Sequence, residues 1–182
     1  AQRCESLPQV TLRQGSADAL PLDDASFDAA SCTQVLLYVS DLQQSLAELS
    51  RVLKSGGRLA VIETDWRGIV LNSAYSALTD RIFGAFDETV PNANLPARLA
   101  PMLKAHGFAA IKVEAIPVIN TSNNASNFSA GALTWASDLA VKEHKVSREE
   151  ADLWLADINE KAASGEYFFC VNRFLFSAVK MA

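Results

Sequence analysis

The sequence predicts an α/β fold, and three observations in the stretch from Phe27 to Glu63 predict it. Ala29 to Cys32 is a short apolar run, suited to a strand buried on both faces. Leu42, Leu46, Leu49 and Leu53 recur at helical spacing, so one face packs while Gln43, Gln44, Glu48 and Arg51 stay wet. Leu59 to Ile62 then reads as a second buried strand ending in Glu63. Strand, helix and strand in that order form a parallel βαβ unit.

The joints of this unit have their own chemistry. Thr33 and Gln34 form a polar pair where a parallel strand would end and face a ligand crevice. Ser40 and Gln43 are spaced as a capping box, in which the hydroxyl caps a backbone N–H and the amide reaches back. Gly56 and Gly57 stop the helix, because a left-handed terminal turn costs glycine nothing.

Upstream, Ala1 to Ser6 reads as the tail of a helix broken near Pro8. Val10, Leu12 and Gln14 alternate as a short strand that Gly15 ends, and Pro21 to Ser26 is a turn-rich surface connection. Downstream, Tyr75, Leu78, Ile82, Phe83 and Phe86 predict a helix over about 72–86. Asn94 is placed to cap a second helix that starts near Pro96, ends before Gly107 and is kinked or split at Pro101. Ala110 to Ile116 alternates as a strand that Pro117 closes. Residues 121–129 are rich in Asn and Ser and read as a polar loop, despite glycosylation-like triplets at Asn120, Asn124 and Asn127. Phe128 to Val141 reads as a helix, and Ser147 with Glu150 caps another that Gly165 stops. Tyr167 to Val179, rich in Phe, is the last strand.

Two stretches carry a resemblance. QGSADALPLDDASFD and RVLKSGGRLAVIE are similar to the text of class I S-adenosylmethionine-dependent methyltransferases of the small-molecule branch, which looks like GDAxxLPxxDxSFD and RVLKPGGxL. Gly15, Ala17, Leu20, Pro21, Asp24, Ser26, Phe27, Asp28, Arg51 to Lys54, Gly56 and Gly57 match it. The resemblance implies a Rossmann-like methyltransferase sheet with strand order 3-2-1-4-5-7-6 and an antiparallel last strand. Val10 to Gln14 would be strand three, so the chain would supply strands 3, 4, 5, 7 and 6. The glycine-rich loop after strand one, and strands one and two themselves, have no counterpart, and the first nine residues contain no glycine. The expectation is therefore a single domain over 1–182 that is an N-terminally truncated fragment, with 66–165 covering the acceptor. Loss of two strands at ~4.8 Å spacing would leave about 14 Å between strands three and four, and an open apolar edge on strand four through which two copies could dimerise.

The resemblance also implies roles for residues. The cofactor is S-adenosylmethionine, with its adenine against Ser16 and Ala17, where the family more often has an acidic side chain. Its methionine part would lie against Thr33, flanked by Cys32 and Gln34. Cys32 is also readable as a buried small hydrophobe. Glu63 and Asp65 are the candidate general bases, needed only if the acceptor must lose a proton. Tyr38, Trp66 and Tyr75 are candidate acceptor-pocket residues, although aromatics at helical spacing also suit a core. Without the glycine loop, this polypeptide is expected to bind the cofactor weakly or not at all. Two other readings stay open: a non-catalytic methyltransferase-like dimerisation module, and a nicotinamide-dependent Rossmann enzyme.

Composition narrows the classes. The 182 residues, 49% of them hydrophobic, suit one globular core, and the net charge of −5 with no basic run argues against a nucleic-acid partner. Cys4, Cys32 and Cys170 offer neither a disulfide framework nor zinc spacing, so no metal and a reducing, cytoplasmic setting are expected. No apolar stretch approaches the ~20 residues that span a bilayer.

Overall fold

A computed structural model of the chain describes residues 7–182. The helix tail expected over 1–6, and Cys4, lie outside the described residues. The elements run β1 (Phe27–Thr33), a 3-10 turn (Leu36–Tyr38), α1 (Leu42–Val52), β2 (Leu53–Leu71), α2 (Ser76–Thr89), α3 (Leu95–Ala105), β3 (Phe108–Asn120), α4 (Phe128–Lys142), α5 (Arg148–Ala163) and β4 (Phe169–Lys180). They form one four-stranded sheet in the order β1-β2-β4-β3. β1 and β2 are parallel, and β4 inserts antiparallel to both β2 and β3. This is the α/β sheet with an antiparallel last strand that the sequence predicts.

One strand of the prediction is absent. Val10 to Gln14 is extended but irregular and pairs with no strand among the described residues; the nearest bridge is Ser16 to Ala19. Alternation alone does not make a strand. Val10 and Leu12 are exposed, and no neighbouring ladder takes up their backbone groups.

The joints of the βαβ unit also differ in detail. Asp41, not Ser40, caps α1: its carboxylate accepts from Gln44 N at 2.9 Å. The helix ends at Val52, ahead of the glycine pair, and β2 starts at Leu53. Gly56 and Gly57 lie in the irregular stretch between Leu53 and Arg58, where the register against β1 slips. Gly56 has φ +76°, and a Cβ on Gly57 would come within 2.8 Å of Lys54 O. The pair therefore builds a bulge, not a helix stop. α3 runs unbroken through Pro101, and β3 runs through Pro117, which its edge position tolerates. The capping box of α5 is formed as predicted, and Gly165 follows with φ +77°.

Two apolar clusters hold the molecule. One packs Leu36, Leu42, Leu46, Leu99, Leu103 and Phe108 against Leu59, Val61, Phe176 and Ala178 of β2 and β4. The other gathers α2, α4 and α5 around Trp66, Phe86, Trp154, Phe169 and Val171. The long strands β2 and β4 belong to both.

Candidate cofactor and acceptor site

β1 ends at Thr33, level with Ile62 of its parallel neighbour β2, which runs on to Leu71, and a tight turn leaves β1 there. Gln34 adopts φ +54°, an uncommon conformation for a residue with a Cβ. Its surroundings hold it: Gln34 N donates to Ile62 O at 2.9 Å, its Nε2 to the same oxygen at 3.3 Å, and Thr64 Oγ1 donates to its Oε1 at 2.8 Å. The turn that follows is anchored from two sides. Glu63, fully enclosed, accepts at Oε1 from Leu36 N at 2.8 Å and from Val35 N at 3.2 Å. Asn92, at the end of the α2–α3 connection, donates through Nδ2 to Val39 O at 2.8 Å and Leu36 O at 3.2 Å. Its backbone N–H reaches Leu37 O at 3.1 Å.

Burial pushes the Glu63 carboxyl up to about 7, against the opposite pull of the N–H groups of the turn. Its Oε2 has no hydrogen-bond partner among the described residues. An enclosed carboxylate has no path to an acceptor, so of the two candidate bases only Asp65 keeps an open side chain, 26% exposed and ion-paired to Arg67 at 3.7 Å. Cys32 is half-buried; desolvation, reinforced by the Glu63 charge, drives its thiol up to about 11. That chemistry suits a packing residue and excludes a ready nucleophile.

The residues expected to touch a cofactor fall in two places. The Thr33 side of the site is open: Thr33 is exposed at the end of β1, and its hydroxyl makes no hydrogen bond among the described residues. Gln34, by contrast, has its amide committed to Thr64 and Ile62. Ser16 bridges Ala19 across a two-residue turn that begins with Ala17, and the Ser16 hydroxyl is likewise uncommitted among the described residues. The free hydroxyls of Ser16 and Thr33 are of a kind that fits a nucleoside-bearing cofactor. The cavity of about 620 Å³ lies elsewhere, spanning all four strands over Ala30, Ala60 and Ser177, and none of these candidates lines it.

The Ser16 turn is tethered by a network that sequence reasoning assigned to the wet face of α1. Glu48 Oε2 accepts from Leu20 N at 2.7 Å, and Arg51 donates to Leu22 O at 2.8 Å, Leu20 O at 3.1 Å and Asp24 Oδ1 at 2.6 Å. Arg51 also grips Glu48. These residues stand three apart on one helix, which is the signal that could have marked them.

Of the aromatic candidates, two come together. Tyr38, 49% exposed, meets Phe86 edge-on at 6.5 Å, and Phe86 meets Trp66 at 5.6 Å. Trp135, which is 40% exposed, closes against both Phe86 and Trp66. Tyr75 stands apart, in a cavity of about 430 Å³ shared with Arg81 and Glu150. Among the described residues no group of three side chains could hold a metal ion, and no helix is long and apolar enough to cross a membrane.

Residues 1–61 match the profile of a family described as "Methyltransferase domain". The chain is 30% identical over 181 residues to an uncharacterized 37.1 kDa protein in transposon TN4556 of Streptomyces fradiae, covering 97% of this chain and 50% of that protein. It is 35% identical over 114 residues to the demethylmenaquinone methyltransferase of Deinococcus radiodurans, covering 54% of this chain and 47% of the relative. The chain thus spans about half the length of these curated relatives. In fold it is similar to a Bacillus halodurans protein assigned as a methyltransferase, with a TM-score of 0.60 at 19% identity over 96% of this chain and 79% of the other. The first third of the chain thus matches a methyltransferase domain, and the β1-β2-β4-β3 sheet has the fold of the Bacillus halodurans protein.

Proposed function

We propose that the protein transfers a methyl group from S-adenosylmethionine to a small-molecule acceptor. The observation that carries this is the uncommitted Thr33 hydroxyl at the carboxyl end of β1, beside β2, in a chain whose residues 1–61 match a methyltransferase domain; ligands of open α/β sheets sit outside strand carboxyl ends. The cofactor brings an already activated methyl group. What remains for the chain is to bind, orient and exclude water. Thr33 and Cys32 flank the methionine part and Ser16 with Ala17 the adenine; Gln34 contributes by fixing the turn. Tyr38, Phe86, Trp66 and Trp135 form one wall for the acceptor. The wall is aromatic and half open, so it suits a planar acceptor, and a relative is named for demethylmenaquinone. Asp65 is the group placed to take a proton from an acceptor that must lose one. Free Cys32 and Cys170 suit a reducing, cytoplasmic setting. β1 has no partner on its outer side among the described residues, which supports pairing of two copies along that edge, read as a doubled mass by light scattering.

Calorimetric titration with S-adenosylhomocysteine and, separately, with NAD tests the reading. Saturable but weak binding of S-adenosylhomocysteine, lost in Thr33→Trp, is expected. Preference for NAD overturns it, as does saturation by neither ligand in a form of the chain extended by its upstream sequence.

A further inference from the structure

We propose that Glu63 and Asn92 are positioning residues: from opposite sides they clamp the turn that presents Thr33 to the cofactor and Tyr38 to the acceptor. The inference deepens the methyl-transfer reading and rests on it for the roles of those two residues.

The turn from Gln34 to Val39 needs holding. It begins in a left-handed residue and continues as a single 3-10 turn, a poor hydrogen-bonding geometry that leaves groups at both ends unpaired. The 3-10 turn has no side-chain cap of its own. Glu63 supplies one from β2, meeting the N–H groups of Val35 and Leu36 with one oxygen. Asn92 supplies the other from the α2–α3 connection, meeting the carbonyls of Leu36 and Val39 with its amide and that of Leu37 with its backbone. The two clamps are complementary, since one side chain only accepts and the other donates. Each residue comes from an element of different packing: Glu63 sits beside the cluster formed by α1 and α3, and Asn92 follows Val90 in the α2 cluster. Tyr38 then projects from the clamped turn onto Phe86 of that second cluster.

A carboxylate enclosed completely is costly, and it stays only where something compensates. Leucine at this position would pack the core without that cost but leave the buried Leu36 N–H and the part-buried Val35 N–H unmet. The carboxylate therefore serves the backbone of the turn and not the acceptor. Glutamine retains a carbonyl acceptor of the same reach, so it keeps most of the clamp while removing the charge.

Amide hydrogen exchange over residues 34–39, together with titration of S-adenosylhomocysteine, tests the clamp in wild type, Glu63→Leu, Glu63→Gln and Asn92→Ala. Loss of one clamp is expected to speed exchange in the turn about tenfold, with β4 unchanged, and to weaken the ligand. Glu63→Gln is expected to restore both. Unchanged exchange in the turn, or a rise spread equally over β4, overturns the clamp. So does a loosened turn that binds the ligand as tightly as wild type. Should Glu63→Leu fail to fold, Asn92→Ala and Glu63→Gln carry the test. A clamped turn with no affinity for the ligand, even in a form of the chain extended by its upstream sequence, would sink the methyl-transfer reading and leave the clamp standing.

Discussion

Burial raises the pKa of the Glu63 carboxyl, and the sign of that shift makes a prediction about pH. Its folded value is raised from the ordinary 4.5 to about 7 by burial, so the folded protein holds that proton more tightly than the unfolded chain. The stabilisation is complete below the unfolded value and is lost as pH rises through the folded one. Denaturant midpoints should therefore fall between pH 4.5 and 7, by about 3 kcal/mol in all at ~1.4 kcal/mol per unit, and Glu63→Gln should flatten that slope. A wild-type profile flat over this window contradicts the assigned burial. Cys32 gives a second expectation at this scale: with its thiol up at about 11, alkylation by iodoacetamide at neutral pH should run about 100-fold slower than for an ordinary cysteine, read by mass spectrometry. The enclosure of Glu63 was not legible beforehand. Its partners are backbone N–H groups 27 and 28 residues away, and a backbone amide carries no mark in the sequence.

At the scale of elements, the parts with local causes were legible. The spacing of leucines gave α1, the apolar runs on either side of it gave the parallel unit, and the Ser147–Glu150 pair gave the start of α5. What failed needed a distant partner. Val10 to Gln14 alternates as a strand should, but no ladder is there to receive it. Asp41 displaced Ser40 as the cap by one position, a choice that residue type leaves open because both are good caps. β2 extends to Leu71, well past the apolar run, because β4 pairs with it again beyond the irregularity between Asp65 and Val70. The Arg51 network was equally hidden: arginine on a wet helical face looks solvated until the loop it grips is seen. Arg51→Ala should release Leu20 and Leu22, and limited trypsinolysis should then show cleavage after Arg13 rising several-fold with no change within α5. Arg51→Lys should rescue little of this, since a single ammonium cannot reproduce a fork that reaches Leu20, Leu22, Asp24 and Glu48 together.

Across the whole molecule, two apolar clusters share two strands, and that arrangement determines how it should unfold. Leu46 is fully buried in the cluster beneath α1 and α3, and Trp154 is fully buried in the cluster of α2, α4 and α5. If the clusters were independent units, Leu46→Ala and Trp154→Ala would each lower a different transition. β2 and β4, however, pair from Arg58 and Val179 at one end to Leu71 and Phe169 at the other, so neither cluster can open without breaking the same ladder. A ladder that runs through both clusters, with one irregularity between Asp65 and Val70, couples the two cores into one cooperative unit. Thermal unfolding should accordingly show a single transition in wild type and in both variants. Leu46→Ala should lower stability by about 2–5 kcal/mol and Trp154→Ala by about 3–5 kcal/mol. The same far-ultraviolet and tryptophan-fluorescence midpoints are expected within each variant, because Trp66, Trp135 and Trp154 all report on the helical cluster while far-ultraviolet signal reports on the sheet as well. Midpoints that separate in Leu46→Ala, with fluorescence surviving loss of the sheet, would show the helical cluster standing alone and would detach the Tyr38 wall from the strand ends it is proposed to serve.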